Sequence, residues 1–411
     1  MKVMLLTLGT RGDVQPYIAM GRELSARGHE VFICTSRDSG EMIEAAGLRH
    51  RLLSADSRAL VTGPRATAAV MSLTGRIMAL RWAEKILREQ LHEMWQIGLD
   101  EAPDVILHNS KGILAPHLAR KLGGKAVPVF LQPGFAPSGE IPPFVLTSHD
   151  LGRLGNRLSH EALLAALRVG NDIVSWASGI ATGPRLDPIA GWGAGGLRLH
   201  AYSPTLSPPP GDFPRTDRMT GYPFMAPEPW EPPADLAAFL EAGPAPVYVG
   251  FGSMPGIDPE GQTRTVVAAL RATNQRGIIA TGWGGLARID HSADIHVLQA
   301  APHGWLFPRV AAVVHHGGSG STHEGLRWGR PSVVCPLLLD QPYWGGQVAK
   351  LGAGPKPIPQ ASLTAEALAA AIHEALSAPV RARAAALGET LRSEDGCARI
   401  ADLVEALKPS R

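Results

Sequence analysis

Residues 313–341 read V-V-H-H-G-G-S-G-S-T-H-E-G-L-R-W-G-R-P-S-V-V-C-P-L-L-L-D-Q. The apolar run over 311–314 predicts a buried strand that ends at His315-His316. Gly317, Gly318 and Gly320 follow, with Ser319 and Ser321 among them. The spacing predicts a short helix over 321–328, stopped by Gly329 with Pro331 just beyond. Residues 332–339 predict a second strand, delivering Asp340-Gln341 at its carboxyl end. Strand, glycine loop, helix and strand make the repeating unit of a doubly wound α/β sheet. Glycines let the backbone approach a bulky anion, and a helix start turns free N–H groups toward it. A diphosphate cradle is expected here, with Glu324, Asp340 and Gln341 around sugar hydroxyls.

The same unit opens the chain. Residues 2–8 predict a buried strand, Gly9-Thr10-Arg11-Gly12-Asp13 breaks it, and a helix is predicted over 16–27 with Gly28 as its stop. Strand and helix signals then alternate to about residue 202. The stretch 54–75 lacks periodicity, and 77–97 has a long helical pattern. The loop Q-P-G-F-A-P-S-G-E-I-P-P (132–143) stands at a strand's carboxyl end, where ligands bind in open α/β sheets. Residues 203–233 are dense in proline and predict an extended connector with little secondary structure. The expected organisation is an N-terminal Rossmann-like domain over 1–205, a linker over 206–233, a second Rossmann-like domain over 234–390, and a C-terminal helix within 391–411 that packs back on the first.

A chain of 411 residues exceeds one ordinary core and suits two domains of roughly 200 residues. The net charge of +2, without a dense Lys/Arg run, gives no nucleic-acid footprint. Cys34, Cys335 and Cys397 show no metal or disulfide spacing, so a reducing cytoplasm is expected. No apolar run reaches the roughly 18–20 residues of a membrane span, which still permits peripheral contact with a membrane. Oligomeric state is not legible.

Two common phosphate fingerprints fail. The dinucleotide pattern would need a glycine where His323 stands, and no Gly-Lys-Ser/Thr follows either glycine cluster. His315 and His316 adjoin on a strand end and point to opposite faces, so they do not share a metal. His316, directly before the glycines, is the better phosphate contact, as a cation or an N–H donor. Glu324 is either a helix-dipole acid or a ligand, and Asp340-Gln341 either caps a helix before Pro342 or binds vicinal hydroxyls. Asp13 is either a helix N-cap or a general base. Trp95, Phe135, Phe144 and Trp176 either belong to a core or line an apolar acceptor pocket.

Together, G-T-R-G-D-V-Q-P-Y (9–17), M-T-G-Y-P-F (219–224), P-V-Y-V-G-F-G-S-M (246–254), A-P-H-G-W-L-F-P-R-V (301–310), H-H-G-G-S-G-S-T (315–322) and D-Q-P-Y-W-G (340–345) resemble the family 1 glycosyltransferases of GT-B fold. The likeness covers nearly the whole chain, and is strongest to bacterial relatives of sterol 3-β-glucosyltransferases and to antibiotic glycosyltransferases. The resemblance implies two Rossmann-like domains facing a cleft and an inverting hexosyl transfer. The donor would be a nucleotide sugar, UDP-glucose above all, and the acceptor a hydrophobic sterol, polyketide or flavonoid-like molecule. No cofactor and no metal is implied. It assigns the base to Asp13. Donor contacts fall to Thr10, Ser253, His303, Trp305, His316, Gly318, Ser319, Gly320, Ser321, Glu324, Asp340 and Gln341. Ser319 and Ser321 replace the alanine and threonine of many relatives, and G-G-Q-V after Trp344 replaces an arginine-containing version. A nucleotide-sugar epimerase or hydrolase of this fold, or a non-catalytic nucleotide-sugar binder, are the alternatives.

Overall fold

The computed structural model describes residues 1–55, 73–144, 146–147, 149–169, 196–227, 229–252, 258–282 and 285–407. Ser253, Trp176 and most of the unperiodic stretch 54–75 lie outside them. The chain divides into two compact units. The first comprises Met1–Pro204, Pro209–Phe224 and Asp395–Arg411, and the second Thr205–Pro208 and Met225–Glu394.

In the first unit, β1 (Lys2–Leu6), α1 (Arg11–Ala26), β2 (Glu30–Ser36), α2 (Gly40–Ala45), β3 (Arg49–Leu53), α3 (Leu73–Glu101), β4 (Val105–His108), α4 (Ala115–Leu122), β5 (Lys125–Phe130), α5 (Gly152–Val169), β6 (Arg198–His200) and β7 (Asp217–Met219) follow one another. The strands form a sheet in the order β3-β2-β1-β4-β5-β6-β7, parallel throughout. Val3, Met4, Leu5 and Leu6 of β1 are wholly buried, as expected of a parallel strand with both faces covered. Gly28 and Gly123 take left-handed φ of +83° and +72° beyond α1 and at the end of α4, conformations that glycine adopts without a Cβ penalty.

The second unit contains α6 (Ala234–Glu241), β8 (Val247–Gly250), α7 (Pro259–Ala272), β9 (Gly277–Ala280), β10 (Ile295–Leu298), α8 (His303–Leu306), β11 (Ala312–His315), α9 (Ser319–Arg327), β12 (Ser332–Val334), α10 (Gln341–Lys350), α11 (Ala365–Ala375) and α12 (Ala378–Ser393). Its sheet runs β10-β9-β8-β11-β12, again parallel. The last helix, α13 (Gly396–Glu405), belongs to the first unit. There Arg27 at the end of α1 reaches Asp402 at 2.6 Å and Glu405 at 3.2 Å.

Both sheets reverse their strand order beside their first strand, between β1 and β4 and between β8 and β11. Loops leaving the carboxyl ends of such strands diverge there and open a crevice, the usual ligand position in doubly wound folds.

Several expectations are corrected. The stretch 203–233 has the little secondary structure expected of it, yet residues 209–224 belong to the first unit and add one short strand, β7, to its sheet. Its sequence, Asp-Arg-Met, has no apolar alternation to announce a strand. Tertiary contact makes it one: buried Asp217 accepts hydrogen bonds from Arg198 Nε at 2.9 Å and pairs with His200 Nε2 at 2.6 Å. Helix α12 lacked a signal because its alanine-rich run shows few large apolar residues. It packs closely all the same, with Ala384 and Leu391 wholly buried and Gly388 against Gly329. Helix α1 starts at Arg11, so Pro16 lies inside it rather than at its start.

Asp217→Ala would take the carboxylate away from the buried Arg198 guanidinium and from His200. The expected loss is about 3–5 kcal/mol, seen as an earlier unfolding transition of the first unit in urea.

Candidate functional site

In the first unit the crevice between β1 and β4 is built by Gly9, Thr10, Asp13, Asn109 and Lys111. Gly9 has φ +141°, and a Cβ there would lie 2.0 Å from Asp13 Oδ2 and 2.6 Å from Lys111 Nζ, so only glycine fits. Asp13 is the third residue of α1. Its Oδ2 accepts the Thr10 backbone N–H at 2.9 Å, and its Oδ1 lies 3.4 Å from Lys111 Nζ. The expected cap role is therefore real, although the helix starts earlier than residue 16 and Asp13 closes a capping box instead of standing at the N-cap. The carboxylate stays about three-tenths exposed, so a substrate hydroxyl can reach it.

Asn109 and Lys111 escaped the sequence reading. Asn109 Nδ2 donates to Leu8 O at 2.9 Å, its Oδ1 accepts the Lys111 N–H at 3.1 Å, and Lys111 Nζ donates to Leu8 O at 2.8 Å. These bonds tie the two diverging loops together. Their position directly after a predicted strand was the one available signal.

In the second unit, α9 begins at Ser319, two residues before its expected start, with Gly318 as N-cap. The run 318–321 is thus a helix start, not a loop. The first intrahelical bond runs from Thr322 N–H to Gly318 O. The N–H groups of Ser319, Gly320 and Ser321 therefore have no intrahelical acceptor, and a helix end of this kind favours an anion. Gly317, at φ +92°, would bring a Cβ within 2.9 Å of Gln341 O, so the bare backbone seats this turn against the start of α10.

His316 lies between two glycines. A Cβ on Gly252 would approach its Cε1 to 2.6 Å, and one on Gly318 its Nε2 to 2.5 Å. Gly318 thus makes room for a ring as well as for an anion. Burial pushes the His316 pKa down to about 4. Burial thus favours the neutral ring, and its Nδ1 is buried with no hydrogen-bond partner among the described residues. His315, wholly buried, accepts the Gly317 N–H at Nδ1 at 3.1 Å, and burial with the neighbouring His316 holds its pKa near about 3.

Glu324 sits in the middle of α9, beyond the first turn, so the dipole-acid reading fails. Its Oε1 accepts Trp328 Nε1–H at 2.8 Å and would lie 3.4 Å from a Cβ on Gly304. The missing side chain at 304 brings the 303–305 segment against this carboxylate. Burial raises the Glu324 pKa, against the opposing effects of Arg327 and Trp328. His303 stacks on Phe307 with centroids 4.2 Å apart, and Arg309 lies 4.1 Å over the Trp305 ring. Trp230, which drew no attention in the sequence, meets Trp305 edge-on at 4.9 Å.

Strand β12 ends at Val334, well short of residue 339. Pro336 gives no ladder donor, and exposed Leu339 turns at φ +56°. Asp340 is accordingly the N-cap residue of α10, and Gln341 its first residue. Asp340 Oδ2 accepts Trp344 Nε1–H at 2.8 Å, and Gln341 Oε1 accepts the Leu337 and Leu338 N–H groups at 2.7 and 3.2 Å. The amide nitrogen, not Oε1, is what Gln341 has for a ligand. Trp95 is 2% exposed within the first unit's core, which removes it from any acceptor pocket. Phe144 is buried too, whereas half-buried Phe135 stacks on Phe130 at 5.5 Å beside the 132–143 loop.

Two parallel Rossmann-like units, each with its polar residues at the point of strand-order reversal, define the GT-B glycosyltransferase fold. Residues 3–117 match the glycosyltransferase family 28 N-terminal domain, and residues 284–407 match the C-terminal domain of erythromycin biosynthesis protein CIII-like proteins. The vancomycin aglycone glucosyltransferase of Amycolatopsis orientalis is 32% identical over 98% of the chain and 97% of its own length. The O-mycaminosyltylonolide 6-deoxyallosyltransferase of Streptomyces fradiae is 31% identical over 100% and 98%. A sterol 3-beta-glucosyltransferase of Arabidopsis thaliana is 33% identical over 97% of the chain, which spans 64% of that relative's length. Among solved structures, the kitacinnamycin glycosyltransferase superposes with a TM-score of 0.73 at 20% identity, covering 98% of both chains. VinC in complex with DTDP superposes at 0.67 and 17% identity, covering 98% of this chain and 99% of its own. The chain belongs to this glycosyltransferase family. Among the described residues, no helix is long and apolar enough to cross a membrane.

Burial depresses the pKa of His315, His316 and His323 from 6.5 to about 3, 4 and 4. Between those values the unfolded chain binds more protons than the folded one. Stability from these groups is therefore complete above pH 6.5 and falls as pH drops toward 4, while the raised Glu324 partly offsets the loss. Each of these histidines should cost the second unit about 1.4 kcal/mol per pH unit within its own window, read as a falling urea midpoint as pH drops, and His323→Gln should make that slope shallower.

Proposed function

We propose that the protein is an inverting, metal-independent hexosyltransferase. It moves glucose from UDP-glucose to a hydroxyl of a hydrophobic small molecule of sterol, polyketide or flavonoid type, forming a β-glycoside in the cytoplasm. The carrying observation is the start of α9: three N–H groups without intrahelical acceptors, the His316 ring beside them with an unpartnered Nδ1 among the described residues, and the half-buried Glu324 carboxyl further along the helix. In this reading the diphosphate takes the N–H groups of Ser319 to Ser321 together with His316. Glu324 takes the ribose, Trp305 and His303 hold the base, and Asp340 with the Gln341 amide takes the sugar hydroxyls. Thr10 and Ser253 complete the donor contacts, and Phe135 and Trp176 serve the acceptor. Fixed N–H dipoles supply the stabilisation of the leaving diphosphate.

Asp13 removes the proton of the acceptor hydroxyl, whose oxygen attacks the anomeric carbon as the bond to the diphosphate breaks. Lys111 and the Thr10 N–H hold the carboxylate in place for that step. Support for glucose comes from relatives named as glucosyltransferases of vancomycin aglycone and of sterols.

The test crosses nucleotide sugars, UDP- and dTDP-linked, with a panel of hydrophobic acceptors and reads products by mass spectrometry. Acceptor-dependent glucoside formation from UDP-glucose is expected. Consumption of UDP-glucose without acceptor would instead identify a hydrolase or epimerase, and binding without turnover a non-catalytic protein.

Asp13→Asn keeps an oxygen for the Thr10 N–H but lacks a basic carboxylate. It should lower turnover by about 10²–10⁴ while UDP-glucose affinity, measured by titration calorimetry, stays unchanged. Full turnover in this variant removes Asp13 from the mechanism.

A further inference from the structure

Among the described residues, Asp235, His291 and His296 bring one donor atom each within 4.8 Å of one another. They come from three places in the second unit. Asp235 lies in the first turn of α6, His291 in the segment before β10, and His296 on β10 itself. The two imidazoles meet edge-on with centroids 4.6 Å apart, and the His296 ring packs at 5.4 Å against Phe239 of α6. Asp235 and His291 are exposed, whereas His296 is buried. None of the three has a part in the donor site. They sit toward the amino end of the edge strand β10, while the donor residues gather at the carboxyl ends of β8 and β11.

We propose that Asp235, His291 and His296 form a binding site for a divalent cation of the zinc type, separate from the glycosyl-transfer site. The donor set decides the class of ion. Two imidazole nitrogens and one carboxylate oxygen suit Zn²⁺ and its borderline neighbours, whereas Mg²⁺ and Ca²⁺ take sets of oxygens. Three protein ligands leave the fourth position to water. Tetrahedral bonds of about 2.0 Å space donor atoms about 3.3 Å apart, so the ligands must draw in by up to about 1.5 Å. The exposed Asp235 and His291 have room to do so. His291 Nδ1 holds only a long 3.3 Å bond from the Val297 N–H. A bound ion would clip α6 to the sheet's edge strand and act on stability rather than on transfer.

Chelator-stripped full-length protein is titrated with ZnCl₂ beside His291→Ala and Asp235→Asn, both at exposed positions. Bound zinc is measured after equilibrium dialysis. Wild type should retain about one more equivalent per chain than either variant, and zinc should raise its Tm but not theirs. Because the chain has 15 histidines, the difference from the variants is the readout, not total zinc. Equal zinc in wild type and variants, or an equal rise in Tm with MgCl₂, would overturn the site.

Discussion

The first strand of each sheet pairs in parallel with two neighbours at once, β1 with β2 and β4, and β8 with β9 and β11. The crevices of both units depend on that constraint. Parallel neighbours can be joined only by crossovers, so the segments leaving the two central strands turn to opposite faces of the sheet. The gap they leave is lined by backbone that no strand occupies. In the first unit it is bridged by Asn109 and Lys111 to the Leu8 carbonyl, and in the second by His316 wedged between Gly252 and Gly318.

The two crevices meet the cost of burying polar groups differently. In the first, an ammonium and a carboxylate face each other near the surface, where water shares their solvation and the pair contributes little to stability. In the second, His315 and His323 are wholly buried and His316 partly so, and burial pushes all three imidazoles toward the neutral form. Neutral N–H donors and helix-end dipoles suit a leaving diphosphate, because they need no reorganisation when charge develops.

Much of this could be read along the chain. Continuous apolar runs marked β1, β8 and β11, and the glycine clusters after them marked the turns. The serines, Glu324 and Asp340-Gln341 marked one turn as the candidate for sugar and phosphate chemistry. These features are local, since a buried parallel strand needs an unbroken apolar run and a tight turn needs glycine wherever the rest of the chain lies. The family resemblance is legible for the same reason: its motifs are the turns themselves.

Other assignments had no local signal. Trp95 reads the same on a helix whether it faces a pocket or a core, and only its neighbours put it in the core. Asp217 becomes part of a strand because Arg198 and His200 wait for its carboxylate, and those partners are remote in sequence from any proline count. Asp340 and Gln341 kept their expected place beside the glycine turn but lost half of their hydrogen-bonding capacity to Trp344 and to the Leu337 and Leu338 N–H groups. Lys111 meets Asp13 only because β4 lies beside β1. The sequence by itself determined the two repeating units and which turns are chemical, because periodicity and turn residues act over a few positions. Tertiary structure alone decided the charge state of the histidines and which atoms stay available to a ligand, because burial and hydrogen-bond partners are set by residues far apart in the chain.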